Sequence, residues 1–184
     1  NLDGGRFEQT FVVAGDTLLT QAIAAIGFYG DAIQVGYGSL GGWDPFGPLR
    51  TITRSDGNVL YELDGKSALD LYKSYLGEHA AGLPATALLF PLQIQRQGDQ
   101  GTLVRTILNV DEQAGSLTFA GDVPVGATVQ LMKTNFDNVV QAASGAALAS
   151  TSSLPASDAE LALLVSCVGR KMVLKQRIEE EVEA

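Results

Sequence analysis

The chain has 184 residues, of which 46% are hydrophobic and 18% are charged, so it can bury a sizeable core. Twelve Lys and Arg against twenty-one Asp and Glu give a net charge of −9, which argues against nucleic acid and anionic membrane surfaces as partners. No apolar run approaches the ~20 residues that a membrane span requires.

Histidine and cysteine each occur once, as His79 and Cys167. A metal site built from several His and Cys ligands is therefore excluded, and we predict neither a metal nor a cofactor. An internal disulfide is excluded too, which is compatible with a reducing cytoplasm. His79 lies in a polar stretch without an evident partner, so we expect a solvated surface residue.

The first forty residues are predicted to form a β-meander. Gly15-Asp16 is a two-residue hairpin signal between the apolar stretches Phe7–Ala14 and Thr17–Tyr29. We predict strands on both sides of this turn. A further short strand is predicted at Ile33–Tyr37, where Gly36 and Gly38 reduce the side-chain surface.

A Gly/Pro-rich loop is predicted at residues 41–48, and the segment after it has the clearest local structural signals in the chain. Two short strands, Leu49–Thr53 and Val59–Leu63, are predicted around a tight turn at Asp56-Gly57-Asn58. A helix is predicted between Ser67, which suits an N-cap, and Gly77, which suits the position after the last turn.

The middle of the chain is predicted to be an antiparallel meander of three strands, Thr102–Val110, Ser116–Ala120 and Ala127–Lys133. Pro91 restricts the preceding apolar stretch, Ala85–Gln95, to an edge or a bulge. In the first meander strand, alternation predicts one buried face, made of Val104, Thr106, Leu108 and Val110.

A helix beginning at Thr134 or Asn135 is expected to run to about Ala149. The continuous apolar run Leu161–Cys167 then predicts a central strand that is covered on both faces. The last segment predicts an amphipathic helix with an apolar stripe of Leu174, Ile178 and Val182, and with Glu179, Glu180, Glu181 and Glu183 on its solvated face.

Two places could carry a binding site. Trp43 is either a binding platform or a plug at the edge of the core whose N–H meets a carbonyl. Gly169 and Arg170 stand where the apolar run becomes a helix, so they could hold a carboxylate or phosphate. Alternatively, Gly169 permits close packing and Arg170 pairs with a carboxylate nearby. We predict that Cys167 is a buried, unreactive small hydrophobe and not a nucleophile.

The stretch Gly41–Gly77 resembles the junction of the FIST N and FIST C domains, the two halves of a bacterial sensory module. The residues that carry the resemblance are Gly42, Trp43, Pro45, Gly47, Pro48, Thr53, Gly57, Asn58, Tyr61, Glu62, Leu63, Asp64, Gly65, Lys66, Ala68, Leu69, Tyr72, Leu76 and Gly77. The run Cys167-Val168-Gly169-Arg170 resembles a signature near the end of FIST C. The family continues there with Leu-Gly, where this chain has Leu174-Lys175.

The resemblance implies that residues 1–60 are the last part of FIST N and residues 61–184 most of FIST C, so that the chain is a fragment of a larger two-domain protein. It implies a cytoplasmic sensory module that binds a small ligand, with amino acids proposed. From the residues themselves we predict the ligand site: Arg170, with Gly169 at a helix start, would bind the carboxylate, and Trp43 would form an aromatic wall, which requires the two to share one cleft. The signal would pass to a histidine kinase, a chemoreceptor or a diguanylate cyclase.

The expected fold is α+β, mostly antiparallel sheet with about three helices. Strand edges without partners in the first segment would favour self-association. Two other functions stay open. A hydrolase-like enzyme would use Cys167 or an acidic residue such as Asp64, and an interaction scaffold would need no pocket.

Overall fold

The computed structural model describes residues 9–152, 154 and 159–184. The chain folds into two compact units. One unit is Trp43–Asn135, and the other combines the described residues up to Gly42 with those from Phe136 onwards. The expected α+β class is confirmed, with an antiparallel sheet and helices near residues 68–76, 136–152 and 168–183.

The unit Trp43–Asn135 is built on an eight-stranded antiparallel sheet. The strands are β3 (Asp44–Asp56), β4 (Val59–Leu63), β5 (Lys66–Ser67), β6 (Leu92–Gln95), β7 (Leu103–Arg105), β8 (Ile107–Asp111), β9 (Ser116–Phe119) and β10 (Thr128–Lys133). Hydrogen-bonded neighbours follow the order β7-β6-β10-β3-β4-β9-β8, and β5 pairs with β4. The two outermost strands are successive in the chain, separated by Thr106 alone. The sheet is therefore curled, because its two edge strands, β7 and β8, are consecutive parts of one extended segment that is interrupted at Thr106.

The local signals in Leu49–Gly77 are confirmed. Gly57, at φ +53°, lies in the two-residue turn that pairs Asp56 with Val59. The helix α1 (Ala68–Leu76) begins at Ser67, whose Oγ accepts the Asp70 N–H at 3.3 Å. It ends at Gly77, whose φ of +55° is easily reached only without a side chain.

The core of this unit is formed by side chains of α1 and of the curled sheet. Its buried side chains come from α1, the strands and the turns that join them: Ile52, Leu60, Leu63, Ala68, Leu69, Tyr72, Leu76, Ala87, Leu92, Ile94, Ile107, Leu117, Phe119, Val123, Ala127, Val129 and Leu131.

The predicted three-stranded meander is wrong in its third member. β9 pairs with β8 and β4, whereas β10 pairs with β3 and β6. The buried face predicted for the first strand is confirmed at Val110, which packs against the core, and wrong at Val104, because the strand is broken at Thr106 and its register shifts again between Ile107 and Asn109. Ile107 is fully buried, whereas Val104 is exposed. Pro91 precedes β6, which is an inner strand flanked by β7 and β10.

The second unit contains a hairpin and the remaining helices: β1 (Phe11–Ala14), β2 (Thr17–Thr20), α2 (Phe136–Ser152), α3 (Val168–Leu174) and α4 (Ile178–Glu183). The hairpin turn at Gly15-Asp16 is confirmed, since Ala14 pairs with Thr17. Part of the predicted first strand, Phe7 and Glu8, lies outside the described residues. Beyond Thr20 the predicted strand does not continue, and Ile33–Tyr37 forms no strand.

Glycines bring the backbone of residues 36–42 against α2. A Cβ built on Gly38 would lie 1.9 Å from the carbonyl oxygen of Ala146, and one on Gly36 would lie 1.8 Å from that of Ser150. These two glycines thus allow contact between backbones that any side chain would prevent.

The C-terminal region departs from the prediction in two ways. Leu161–Cys167 forms no strand and its side chains are exposed. The single helix predicted after it is interrupted, because α3 ends at Lys175 with φ +52°. Glycine is the residue that adopts this region of φ most readily, whereas the chain has a lysine here.

Candidate functional site

Arg170 is the centre of a buried polar cluster in the second unit. Its side chain, near the start of α3, is 9% exposed. The Nε–H donates to the carboxylate of Glu181 in α4. Nη1 donates to the carbonyl oxygens of Leu40 at 3.2 Å and Gly41 at 2.8 Å, and Nη2 donates to that of Val139 in α2 at 2.7 Å.

The Glu181 carboxylate is held from a second side, because Ser166 Oγ donates to its Oε2 at 2.8 Å. Glu181 is only 9% exposed, so the expectation that it lies on a solvated face is wrong. Burying a carboxylate is favourable only where charge and hydrogen bonds compensate for the lost water, and Arg170 and Ser166 provide both.

These contacts support the alternative in which Arg170 pairs with a carboxylate of its own chain. Four of the five guanidinium N–H groups are directed at partners within the unit. Gly169 beside it is buried, as close packing requires. Contact of Arg170 or Gly169 with a ligand stays a prediction.

Cys167 is exposed, so the prediction that it is buried is wrong. The error follows from the apolar run before it, whose composition indicates a covered strand. The Sγ of Cys167 accepts the backbone N–H of Arg170 at 3.5 Å, which makes Cys167 the N-cap of α3.

His79, as expected, is exposed, although it lies in a 3-10 helix and its ring is 5.3 Å from that of Phe90.

Trp43 belongs to the other compact unit, so the idea that it shares a cleft with Arg170 stays a prediction. Its Nε1 is buried, and the described residues offer it no hydrogen-bond acceptor. The predicted N–H to carbonyl contact is therefore not found. A buried donor without an acceptor costs about 1–3 kcal/mol.

A second polar cluster in the unit Trp43–Asn135 contains Asp64, which the sequence offered as a candidate acidic residue of an enzyme, whereas its partners Arg50 and Tyr75 were not identified as site residues. Arg50 in β3 donates from Nη1 to Asp64 Oδ2 at 3.1 Å, and from Nε and Nη2 to the hydroxyl of Tyr75 at 3.0 and 2.6 Å. Asp64 also accepts the Thr51 N–H at 2.9 Å. Beneath Arg50 and Tyr75 lies a cavity of about 20 Å³, which matches one water molecule and is too small for a metabolite.

Two family models cover almost all of the chain. The FIST N domain matches residues 2–66 and the FIST C domain matches residues 68–184. The chain belongs to the FIST family. FIST domains are sensory domains of signalling proteins and not catalytic modules. No curated protein and no solved structure matches the chain.

The matches to FIST N and FIST C meet at residue 67, whereas the compact units divide after Gly42 and after Asn135. The predicted division of this FIST chain into 1–60 and 61–184 stays a prediction.

Within residues 9–152, 154 and 159–184, no group of three His, Cys, Asp or Glu side chains could hold a metal ion. None of the helices described there combines the length and apolar character that a bilayer span requires.

In this FIST chain, the pH dependence of stability tests whether Asp64 and its contact with Arg50 stabilise the fold. The Thr51 N–H and then the Arg50 guanidinium hold the pKa of Asp64 below its ordinary value. A pKa that is lower in the folded state means that the carboxylate stabilises the fold at neutral pH. That contribution is lost as the pH falls from the ordinary range of an aspartate through the lowered pKa.

We therefore expect Asp64→Asn to unfold more easily at pH 7, by roughly 1 kcal/mol for a partly exposed charged hydrogen bond. Asparagine tolerates the φ of +50° at this position and cannot titrate. Urea unfolding at pH 7 and pH 3 should show a smaller loss of stability for the variant than for the wild type. Equal losses would contradict the role of Asp64.

Proposed function

We propose that this FIST chain binds a small ligand and passes the signal to a separate or fused signalling domain in the bacterial cytoplasm. The match of both FIST halves to consecutive parts of the chain carries the proposal. Free amino acids are the ligand class to test first. A histidine kinase, a chemoreceptor and a diguanylate cyclase are the candidate partners for the output.

The buried indole N–H of Trp43 supports this proposal. It is a donor that lacks an acceptor among the described residues, in a loop at the start of β3. Loops at strand ends are where binding groups are often displayed. The carboxylate or carbonyl oxygen of a bound metabolite would satisfy the indole N–H.

A ligand titration tests the proposal. A ligand that binds only the folded protein stabilises it by about 2.7 kcal/mol at a hundredfold excess over its Kd, so its melting temperature must rise. We expect one member of an amino-acid panel to raise the melting temperature and to change the fluorescence of Trp43, which is the single tryptophan of the chain.

The matched control is the carboxamide of the ligand that binds. If a cationic group such as Arg170 binds its carboxylate, the amide should bind roughly ten- to a hundredfold more weakly, which corresponds to a lost charged hydrogen bond of about 1.5–3 kcal/mol. A panel without any thermal shift would contradict small-ligand sensing. A shift with equal binding of acid and amide would contradict only the cationic contact.

A further inference from the structure

The one buried side chain of the helix α4 carries a charge. Among the six described residues of this helix, Ile178–Glu183, only Glu181 is buried, whereas Val182 is 68% exposed. The Glu181 carboxylate accepts hydrogen bonds from Arg170 Nε and Ser166 Oγ. A helix of six residues is not stable by itself, so α4 depends on its contacts with the rest of the unit. An apolar side chain would stabilise a docked helix at least as well, and a buried charge pair is best attested where it specifies or switches a structure.

The preceding helix α3 is anchored differently. Its Leu174 is 1% exposed, so apolar packing holds α3 in place. Directly after it, Lys175 adopts a φ of +52°, which is unfavourable for a residue with a side chain. The strained position thus lies between a helix that is anchored by apolar packing and a helix that is anchored by a charge.

Residues 36–42 form a glycine-rich segment that large side chains do not hold in place. Four of its seven residues are glycine, and Tyr37 and Leu40 are 78% and 52% exposed. The backbone of the segment lies against α2, and Arg170 Nη1 donates to the carbonyl oxygens of Leu40 and Gly41. A segment with few buried apolar contacts opens at a lower free energy than the core. Its place on α2 therefore depends on polar contacts such as those of Arg170.

We propose that α4 controls the 36–42 segment through Arg170, as a conformational switch within the second unit. When α4 leaves its place, Arg170 loses the Glu181 carboxylate, and a buried guanidinium without a counter-charge is strongly unfavourable. The guanidinium then turns towards water, and the carbonyl groups of Leu40 and Gly41 lose their donor. The 36–42 segment and α4 therefore open and close together.

The switch joins parts of the chain that are distant in sequence, since Arg170 and Leu40 are 130 positions apart. The segment ends at Gly42, so its opening frees the backbone immediately before Trp43. The proposal is based on contacts within the second unit and does not depend on ligand binding.

A double-variant cycle of Glu181→Gln and Gly38→Ala tests the switch. Glu181→Gln removes the charge that holds Arg170, and Gly38→Ala makes the 36–42 segment clash with α2. In the Glu181→Gln background, Gly38→Ala should lose at least about half of its effect on the unfolding free energy, because the segment is already released there. Urea unfolding of the wild type, the two single variants and the double variant measures this coupling.

Glu180→Gln is the matched control, since Glu180 pairs with the exposed Arg177. In that background, Gly38→Ala should keep its full effect. Additive effects of Glu181→Gln and Gly38→Ala would overturn the proposal, because they would show two structural contacts that act independently. An equal loss of the Gly38→Ala effect in the Glu180→Gln background would overturn it as well.

Proteolysis of the wild type gives a second test, which needs no variant should Glu181→Gln fail to fold. Chymotrypsin cleavage after Leu40 reports opening of the 36–42 segment, and cleavage after Glu181 by a glutamate-specific protease reports undocking of α4. Between 0 and about 2 M urea we expect the two cleavage rates to rise by the same factor. Cleavage at one position while the other is still resistant contradicts a common opening and overturns the proposal.

Discussion

Replacing Arg170 with alanine should destabilise the protein by about 3–5 kcal/mol, the cost of removing one partner of a buried ion pair. The Glu181 carboxylate would stay buried with Ser166 as its remaining side-chain partner. Three backbone carbonyls, in Leu40, Gly41 and Val139, would lose a donor at the same time. Urea unfolding followed by far-UV circular dichroism measures the effect.

The chain contains a matched control in the pair Arg177–Glu180. Arg177 Nη2 lies 2.6 Å from Glu180 Oε2, but the two side chains are 45% and 42% exposed. Exposed pairs contribute little, so Arg177→Ala should change stability only slightly. The double variant Arg170→Met with Glu181→Leu should recover part of the loss, because it removes both buried charges but leaves the three carbonyls without the arginine donor.

The same measurement decides between the two roles of Arg170. If Arg170→Ala leaves the unfolding free energy unchanged and weakens ligand binding ten- to a hundredfold, the arginine contacts the ligand and our structural interpretation is wrong. If stability falls as expected, Arg170 acts on any binding site only by holding Leu40, Gly41 and α2 in position.

The fold could be predicted from the sequence where the signals are local. The turn at Gly57, the N-cap at Ser67 and the end of α1 at Gly77 each depend on the φ angle or side-chain oxygen of one residue. Such preferences act over a few positions, so a single sequence shows them. The α+β class follows from the number and length of these segments.

Long-range pairing could not be predicted in the same way. β10 looks like the third strand of a meander, yet it pairs with β3 and β6, which are distant in sequence. The inward phase of β7 and β8 depends on the interruption at Thr106, and a repeat of two residues does not show an interruption.

The candidate site shows the same limit. Glu181 stands in a run of acidic residues that is typical of a solvated helix face, and its partner Arg170 is eleven residues earlier. They meet because Lys175 adopts a left-handed φ and interrupts the helix between them. The apolar run Leu161–Cys167 has the composition of a central strand. Composition alone does not show whether anything covers a strand.

From the sequence, Gly36 and Gly38 are expected only to reduce the side-chain surface of a strand. In the structure they allow close backbone packing, so replacing either of them should have a large effect on stability. In Gly38→Ala, the new Cβ would lie 1.9 Å from the Ala146 carbonyl oxygen, far inside van der Waals contact. The obstacle is helix backbone, which cannot rotate away as a side chain can. Forced overpacking costs typically about 1–3 kcal/mol and occasionally more, and we expect the upper end of that range.

Gly101→Ala is the control for Gly38→Ala, because no atom lies within 4 Å of a Cβ added there and its φ is not in the left-handed region. That substitution should leave stability unchanged or raise it slightly, since alanine restricts the unfolded chain. Thermal and urea unfolding of the two variants, compared with the wild type, measure the difference. If Gly38→Ala is no less stable than Gly101→Ala, residues 36–42 do not pack against α2 as described.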